Sequence, residues 1–326
     1  MSETVAREKT ALLRRAVALI GVLLVSACAT PIVVVDAGTP CEASSFTVLD
    51  DFGGARRGRC EVLAKNHVRL SIVPEDDGYI NPSPWFAFKL VPTAEVRAVV
   101  SLQYVGGRHR YVPKISSDGV NWSPIDASQI EISADTTVAT FEVSLEGDAV
   151  WVSAQELLMP AAYDAWAVEI ANETDAKRLL LGYSIGKQPI HYLVTCPAAN
   201  NVLLLVGRQH PPEVSGAFAF FSFTETLLAE TELAVRFREH FQVVAIPLMN
   251  PDGVLAGHWR HNLGSTDINR DWGTFNQPET RLVGELLDRL DSEGRRVVVF
   301  LDFHSTKRNA FMFRTSPNPP IRPTSS

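Results

Sequence analysis

His210 and Glu213 stand three residues apart just after the apolar run "NVLLLVG", Asn201 to Gly207, and His304 follows a second apolar run, "RRVVVFLDF", in the same way. Imidazole and carboxylate are metal ligands as well as proton carriers, and both groups sit where a strand would end. In α/β sheets, ligands bind beyond the carboxyl ends of the strands. If the two runs are neighbouring strands, His210, Glu213 and His304 converge on one point. Two histidines and a glutamate with an open fourth position form a ligand set of catalytic zinc sites. The pair HxxE is weak by itself, because a histidine at a strand end is more often capped or solvent-facing.

The elements that must position these residues are readable from about Pro160 onward. "AAYDAWAVEIAN" has Ala162, Trp166 and Ile170 at four-residue spacing and predicts a helix. "IHYLVTC", "NVLLLVG" and "FQVVAIPLM" predict strands. "PETRLVGELLDRLDSEG" predicts a helix with Pro278 in its first turn, Leu282, Leu286 and Leu290 on one face, and Gly294 past its end. "RRVVVFLDFH" is the nearly continuous apolar run of a strand covered on both faces. Strands alternating with helices imply an α/β layer fold with a largely parallel or mixed sheet, and a three-layer, mixed-sheet domain is the expectation over 160–326. Residues 45–155 read differently. Short runs such as "HVRLSIVP", "WFAFKLVP" and "TVATFEVSL", separated by turns carrying Gly78, Asn81, Pro82, Gly106, Gly107 and Gly147, predict an antiparallel β-sandwich.

The 326 residues carry a formal net charge of −7 with 46% apolar content, which is globular and sized for about two domains. An acidic balance excludes a nucleic-acid footprint, and "ARRGR" at Ala55 to Arg59 reads as a solvated turn. The first residues differ in kind. Arg7, Lys9, Arg14 and Arg15 precede the apolar run Ala16 to Val25, a secretory signal too short to span a bilayer comfortably. Its end, "LVSAC", resembles the bacterial lipoprotein signal. That resemblance implies a signal peptide over 1–27 and lipidation of Cys28, and the aperiodic stretch carrying Thr30, Pro31, Gly38, Thr39 and Pro40 reads as a tether over 28–44. With Ala29 rather than aspartate beside Cys28, the resemblance further implies an outer-membrane anchor facing the periplasm. The alternative is a plain signal peptide cut near Ala29. In an exported chain Cys41 and Cys60 can pair and close a short loop, with Cys196 as the odd thiol, although spacing alone does not fix the connectivity.

Three more motifs lie between the two histidine segments: "NPDG" (Asn250 to Gly253), "HWRHN" (His258 to Asn262) and "DINRDW" (Asp267 to Trp272). With "GRQHPPE" and "FLDFHS" they resemble, in order, the M14 zinc carboxypeptidases. "GYSIGKQPIHYLV" resembles the entry to that family's catalytic domain, and "PWFAFKL" in the preceding sandwich makes the cytosolic carboxypeptidase branch the nearest likeness. The resemblance spans roughly residues 65 to 316. It implies one zinc ion held by His210, Glu213 and His304. Arg260 would stabilise the oxyanion, and Asn269 and Arg270 would clamp the terminal carboxylate of a peptide or protein. Asp302, two residues before His304 on the same strand face, is either a partner of a ligand or purely structural. His258 and His261 fall outside the family's ligand pattern. Asp252, Gly253, Asp271 and Trp272 read as turn and loop anchors, and Phe218, Phe220, Phe221 and Phe223 as helix core.

The same resemblance implies a catalytic glutamate well beyond His304, and the residues after His304 contain none. The catalytic domain is therefore expected to be incomplete relative to the family. Glu225, Glu230 and Glu279 are stand-ins only by sequence proximity. Three functions follow as expectations: a zinc carboxypeptidase with activity reduced or lost, a zinc-containing lipoprotein that binds peptide C-termini without cleavage, and a zinc-dependent N-acyl amino acid deacylase.

Overall fold

In the strand His67–Ile72 the burial alternates residue by residue, and Val68, Leu70 and Ile72 point inward. The strand Val138–Leu145 does the same with Ala139, Phe141, Val143 and Leu145. This period of two builds the N-terminal layers. A computed structural model of the protein describes residues 33–76, 83–196 and 200–306. The signal segment, Cys28, and the turn residues Gly78, Asn81 and Pro82 lie outside the described residues. No helix among the described residues is long and apolar enough to cross a membrane.

Two six-stranded sheets enclose the first core. One runs Val33–Val35 (β1), Cys60–Ala64 (β4), His67–Ile72 (β5), Val96–Tyr104 (β7), Val138–Leu145 (β11) and Glu131–Ile132 (β10). The other runs Cys41–Glu42 (β2), Phe46–Leu49 (β3), Ala87–Pro92 (β6), Val150–Ser153 (β12), Lys114–Ser116 (β8) and Ser123–Pro124 (β9). Pairing is antiparallel except between β5 and β7, which run parallel with His67 opposite Val99. This corrects the purely antiparallel expectation. The chain leaves β5, crosses to the other sheet as β6, and so returns as β7 in its original direction.

The expected tether over 28–44 is corrected in part, because β1 pairs with β4 and β2 with β3. Cys41 on β2 is bonded to Cys60 on β4, so the disulfide joins the two sheets, and both sulfurs lie in the core. Cys196 is free and exposed.

The third sheet is mixed. Its order is Lys177–Tyr183 (β13), Pro189–Val194 (β14), Gln242–Ile246 (β16), Asn201–Gly207 (β15) and Arg296–Phe303 (β17). β15 pairs parallel with β16 and β17, while β14 pairs antiparallel with β13 and β16. Helices Pro160–Glu173 (α1) and Val214–Leu228 (α2) cover one face, where Leu203, Leu205, Val243 and Ala245 meet Ile170 and Phe220. Glu232–His240 (α3) and the short Pro251–Leu255 (α4) follow in the chain. Helix Pro278–Ser292 (α5) covers the other face, where Val202, Leu204 and Val206 meet Val283, Leu286 and Leu290.

Three details depart from expectation. α1 buries Tyr163, Ala167 and Ile170, one step round from the face built on Ala162 and Trp166. Phe220 is fully buried, but Phe218 and Phe223 are exposed. β17 is the edge of the sheet among the described residues, and Val298, Val299 and Phe300 are 38%, 39% and 40% exposed rather than covered on both faces.

Val214 and Trp259, from the later part of the chain, are buried in the core of the first two sheets. The chain from Val33 onward clusters as one compact unit.

Candidate metal centre

β15 and β17 are parallel neighbours, with Gly207 opposite Phe303. The residues that follow both strands therefore emerge side by side. After Gly207 the chain turns through Arg208, at φ 52°. Its guanidinium donates from Nε to the Pro211 carbonyl at 2.8 Å and from Nη1 to the Tyr163 hydroxyl at 2.7 Å, which fixes the turn. Glu213 then occupies the N-cap position of α2, where a carboxylate faces the positive end of the helix dipole. His304 follows the last residue of β17 directly.

The three side chains meet. Nδ1 of His210 lies 3.0 Å from Oε1 of Glu213, and Nδ1 of His304 lies 2.7 Å from Oε2 of the same carboxylate. The two rings are 4.9 Å apart at their centroids. One ligand atom from each of the three lies within 4.8 Å of the others. The remaining ring nitrogens are also bonded. Nε2 of His210 donates to Oδ1 of Asp267 at 3.0 Å, and Nε2 of His304 donates to Oδ2 of Asp302 at 2.8 Å. A histidine whose Nε2–H is held by a carboxylate presents an Nδ1 lone pair, which is the tautomer a metal ligand needs. The donor set thus fits a zinc ion in ligand type, in convergence and in the outer carboxylates that orient each ring.

The electrostatics agree with that geometry. Burial alone would raise the Glu213 carboxyl, but hydrogen bonds from His210 and His304 outweigh it and hold the group down at about 2. Burial would lower His304, yet hydrogen bonds to Asp302 and Glu213 push it up to about 10. Asp267 is buried too, and its bonds to His210 and Arg260 hold it well below the usual carboxylate range. Without a metal, the His304 imidazolium is clamped between the Asp302 and Glu213 carboxylates.

Asp267 and Gln209 went unread in the sequence. Gln209 is fully buried; its Nε2 donates to Asp302 at 2.7 Å, and its Oε1 accepts from the Trp272 indole at 2.9 Å. Asn250 of "NPDG" ties two motif loops together, donating to the carbonyls of Gln209 and His261. Asp271 accepts from Thr274 and Thr280 and from the amides of Asn276 and Gln277, so it anchors the loop that leads into α5.

Arg260 donates from Nε to Oδ2 of Asp267 at 2.7 Å and is 8% exposed. Together with Glu213 it lines a cavity of about 730 Å³ that is also lined by Tyr104, the last residue of β7, and by Arg108 and His109 beyond it. Asn269 lies with Nδ2 3.2 Å from Nε2 of His304, and Arg270 is exposed at the end of the 3-10 turn Ile268–Arg270. His258 does not join the ligand group, and its Nδ1 donates to the His261 carbonyl. None of the three alternative glutamates reaches the centre. Glu225 accepts from the Trp166 indole, Glu230 pairs with Arg238, and Glu279 is fully buried on Asn262.

Residues 163–320 match the family model Peptidase_M14, described as zinc carboxypeptidase. The chain is 36% identical over 118 residues to human cytosolic carboxypeptidase 4, a match covering 35% of this chain and 11% of that protein. It is 36% identical over 120 residues to cytosolic carboxypeptidase 2 of Danio rerio, covering 35% of this chain and 16% of the relative. The matched stretch is thus a small part of either relative. Among solved structures, a metallo-carboxypeptidase from Burkholderia cenocepacia superposes with a TM-score of 0.67 at 19% identity, over 80% of this chain and 71% of the other. A metallo-carboxypeptidase from Pseudomonas aeruginosa gives 0.63 at 23% identity, over 79% and 69%. These two likenesses show the fold. Over residues 163–320 the chain carries a zinc carboxypeptidase domain of the Peptidase_M14 family, homologous to the cytosolic carboxypeptidases.

Proposed function

We propose that this domain binds one zinc ion through His210, Glu213 and His304 and acts on the C-terminal residue of peptides or proteins that end in a free carboxylate. The observation that carries the reading is the pair of Nδ1 atoms turned onto one Glu213 carboxylate while both Nε2 atoms are held by Asp267 and Asp302. When bound, zinc supplies a Lewis acid that polarises a carbonyl and brings the ionisation of water towards neutrality. Arg260 shares the cavity with Glu213, and its remaining N–H groups meet the negative charge that develops on a carbonyl oxygen under attack. Asp267 fixes the angle of that guanidinium by holding its Nε. Asn269 and the exposed Arg270 receive the terminal carboxylate, which a planar guanidinium can grip through both oxygens. We read the first two sheets as a β-sandwich that walls the cavity, and the segment before them as an export signal with a lipid anchor at Cys28.

A second reading is favoured by one observation. Among the described residues, every carboxylate at the centre is already a ligand or an orienting partner, and Glu225, Glu230 and Glu279 are engaged elsewhere. Loss of a general base typically costs about 10²–10⁴-fold in rate. A protein of this kind binds peptide C-termini without turnover.

Both readings are tested on the zinc-loaded chain with peptides carrying free or amidated C-termini. Zinc bound at one equivalent, with release of the terminal amino acid from free-acid peptides only, supports the carboxypeptidase. Binding of free-acid peptides without release supports the second reading. No discrimination between free and amidated ends rejects both, and hydrolysis of N-acyl amino acids instead would favour deacylation.

A further inference from the structure

We propose that Glu75, with Asp76 beside it, is a positioning residue for Arg260, so that the first two sheets aim the arginine of the metal centre. The proposal rests on the reading of Arg260 given above. Both residues follow β5, far from Arg260 in sequence. Oε2 of Glu75 accepts the backbone N–H of Trp259 at 2.7 Å. Its Oε1 accepts the N–H of Arg260 at 2.8 Å and of His261 at 2.7 Å. Three successive amides pointing at one carboxylate form an anion-binding concavity, here filled by a side chain of the same protein.

The neighbours of Arg260 are gripped as well. The Trp259 ring is 1% exposed in the core of the first two sheets, and its Nε1 donates to the Trp85 carbonyl at 3.2 Å. A Cβ on Gly107 would come within 3.0 Å of that ring, so the Gly106–Gly107 turn closes directly over it. Asp76 accepts from Nδ1 of His261 at 2.7 Å and from the Ser265 hydroxyl at 2.8 Å. Those bonds outweigh the effect of burial and hold Asp76 below its ordinary range, so it stays charged. Every residue of the Trp259–His261 segment is thus fixed by the first sheets, and only the Arg260 side chain projects to the metal centre, where Asp267 takes its Nε.

Glu75, Asp76 and His261 also lie close enough to resemble a second ligand group. Their oxygens are aimed at N–H and O–H donors, which suits a clamp and does not suit a cation. Removal of Glu75 would orphan three amides in a segment whose residues are 1%, 8% and 8% exposed. An unsatisfied buried donor costs about 1–3 kcal/mol, so the segment would shift to find other partners and carry Arg260 with it. Gln is the informative replacement. It keeps the shape, but it turns one acceptor into a donor that faces an N–H.

The test uses the full zinc-loaded chain and calorimetric binding of two probes. One is a dipeptide phosphonate, whose tetrahedral anion lies where Arg260 acts. The other is a free amino acid, which needs only the carboxylate clamp. Glu75→Gln is expected to weaken the phosphonate about tenfold or more while leaving zinc stoichiometry and amino-acid binding unchanged. In an Arg260→Ala background the same substitution should have little further effect. Asp76→Asn, which releases only the His261 side, should give a smaller loss of the same kind and serves if Glu75→Gln does not fold. A full Glu75→Gln effect in the Arg260→Ala background, equal weakening of both probes, or no weakening of the phosphonate by either acidic variant overturns the proposal. If Arg260→Ala itself leaves phosphonate binding unchanged, the role of Arg260 fails and the proposal fails with it. If zinc does not bind, the reading of the centre fails first.

Discussion

One carboxylate joins His210 to Arg260. Oδ1 of Asp267 takes the His210 Nε2 proton at 3.0 Å, and Oδ2 takes the Arg260 Nε proton at 2.7 Å. Ligand orientation and the placement of the arginine therefore depend on the same side chain. Asp267→Asn keeps the volume and leaves one oxygen, so it cannot accept at both positions. Because loss of such an orienting partner costs about 10–100-fold in metal affinity, a chelator-competition titration of Asp267→Asn should show a drop of that order. An unchanged zinc affinity would mean that His210 holds its tautomer without Asp267.

Zinc binding should release protons at neutral pH. His304 is pushed up to about 10 by Asp302 and Glu213, so in the metal-free chain it is charged at pH 7 and must lose its proton to become a ligand. Titrating zinc in two buffers of different ionisation enthalpy should report about one proton released per ion. The release should shrink as the pH approaches 10.

The same groups set the pH dependence of metal-free stability. His304 is raised in the folded state, so its contribution is complete below its ordinary value of 6.5 and is lost as pH rises through about 10. Glu213 is depressed, so its contribution is complete above 4.5 and is lost as pH falls through about 2. The cluster stabilises the metal-free chain most between those ordinary values. Thermal melts of the chelated protein should fall between pH 6.5 and 9, and zinc-loaded melts should fall less.

Gly216 is tested by its neighbour. A Cβ there would lie 2.8 Å from the carbonyl carbon of His304 and 2.9 Å from its oxygen, both of them backbone atoms. Gly216 also donates its N–H to the Ser305 hydroxyl at 2.9 Å, so α2 and the end of β17 are in direct contact. Gly216→Ala should displace His304 and lower zinc affinity. Overpacking of this kind costs about 1–3 kcal/mol, enough to appear as a lower melting temperature in the same sample. A melting temperature and zinc affinity both equal to those of the parent would show that the segment yields without consequence.

Local pattern explains which parts of this arrangement were legible. Strand ends were visible because "NVLLLVG" and "RRVVVFLDF" stop at polar residues, and His210, Glu213 and His304 could be placed together once those strands were taken as neighbours. The outer partners were not visible. Asp267 reaches His210 across 57 positions, and Glu75 reaches Trp259 across 184, and neither contact leaves a periodic trace. The exposure of Val299 and Phe300 was hidden for a related reason: an apolar run has the same composition at a sheet edge as in its middle. The parallel β5–β7 pair escaped because direction depends on which sheet takes the strand between them.

The disulfide should matter more to stability than to the metal centre. Cys41 and Cys60 are separated by 19 positions, are fully buried, and connect β2 of one sheet to β4 of the other. Closing a loop of that size restricts the unfolded chain and is worth about 2–4 kcal/mol, to which native packing around the sulfurs adds its own share. The Glu75 bonds run to the amides of Trp259, Arg260 and His261 and involve neither cysteine. Replacing both with serine should therefore lower the melting temperature of the zinc-loaded chain by several degrees, roughly 2–4 °C for each kcal/mol at this size. Zinc affinity should be unchanged. If zinc affinity fell along with stability, the strain would have to pass from β4 through β5 to the Glu75 clamp, and the first sheets would then be coupled to the metal itself as well as to Arg260.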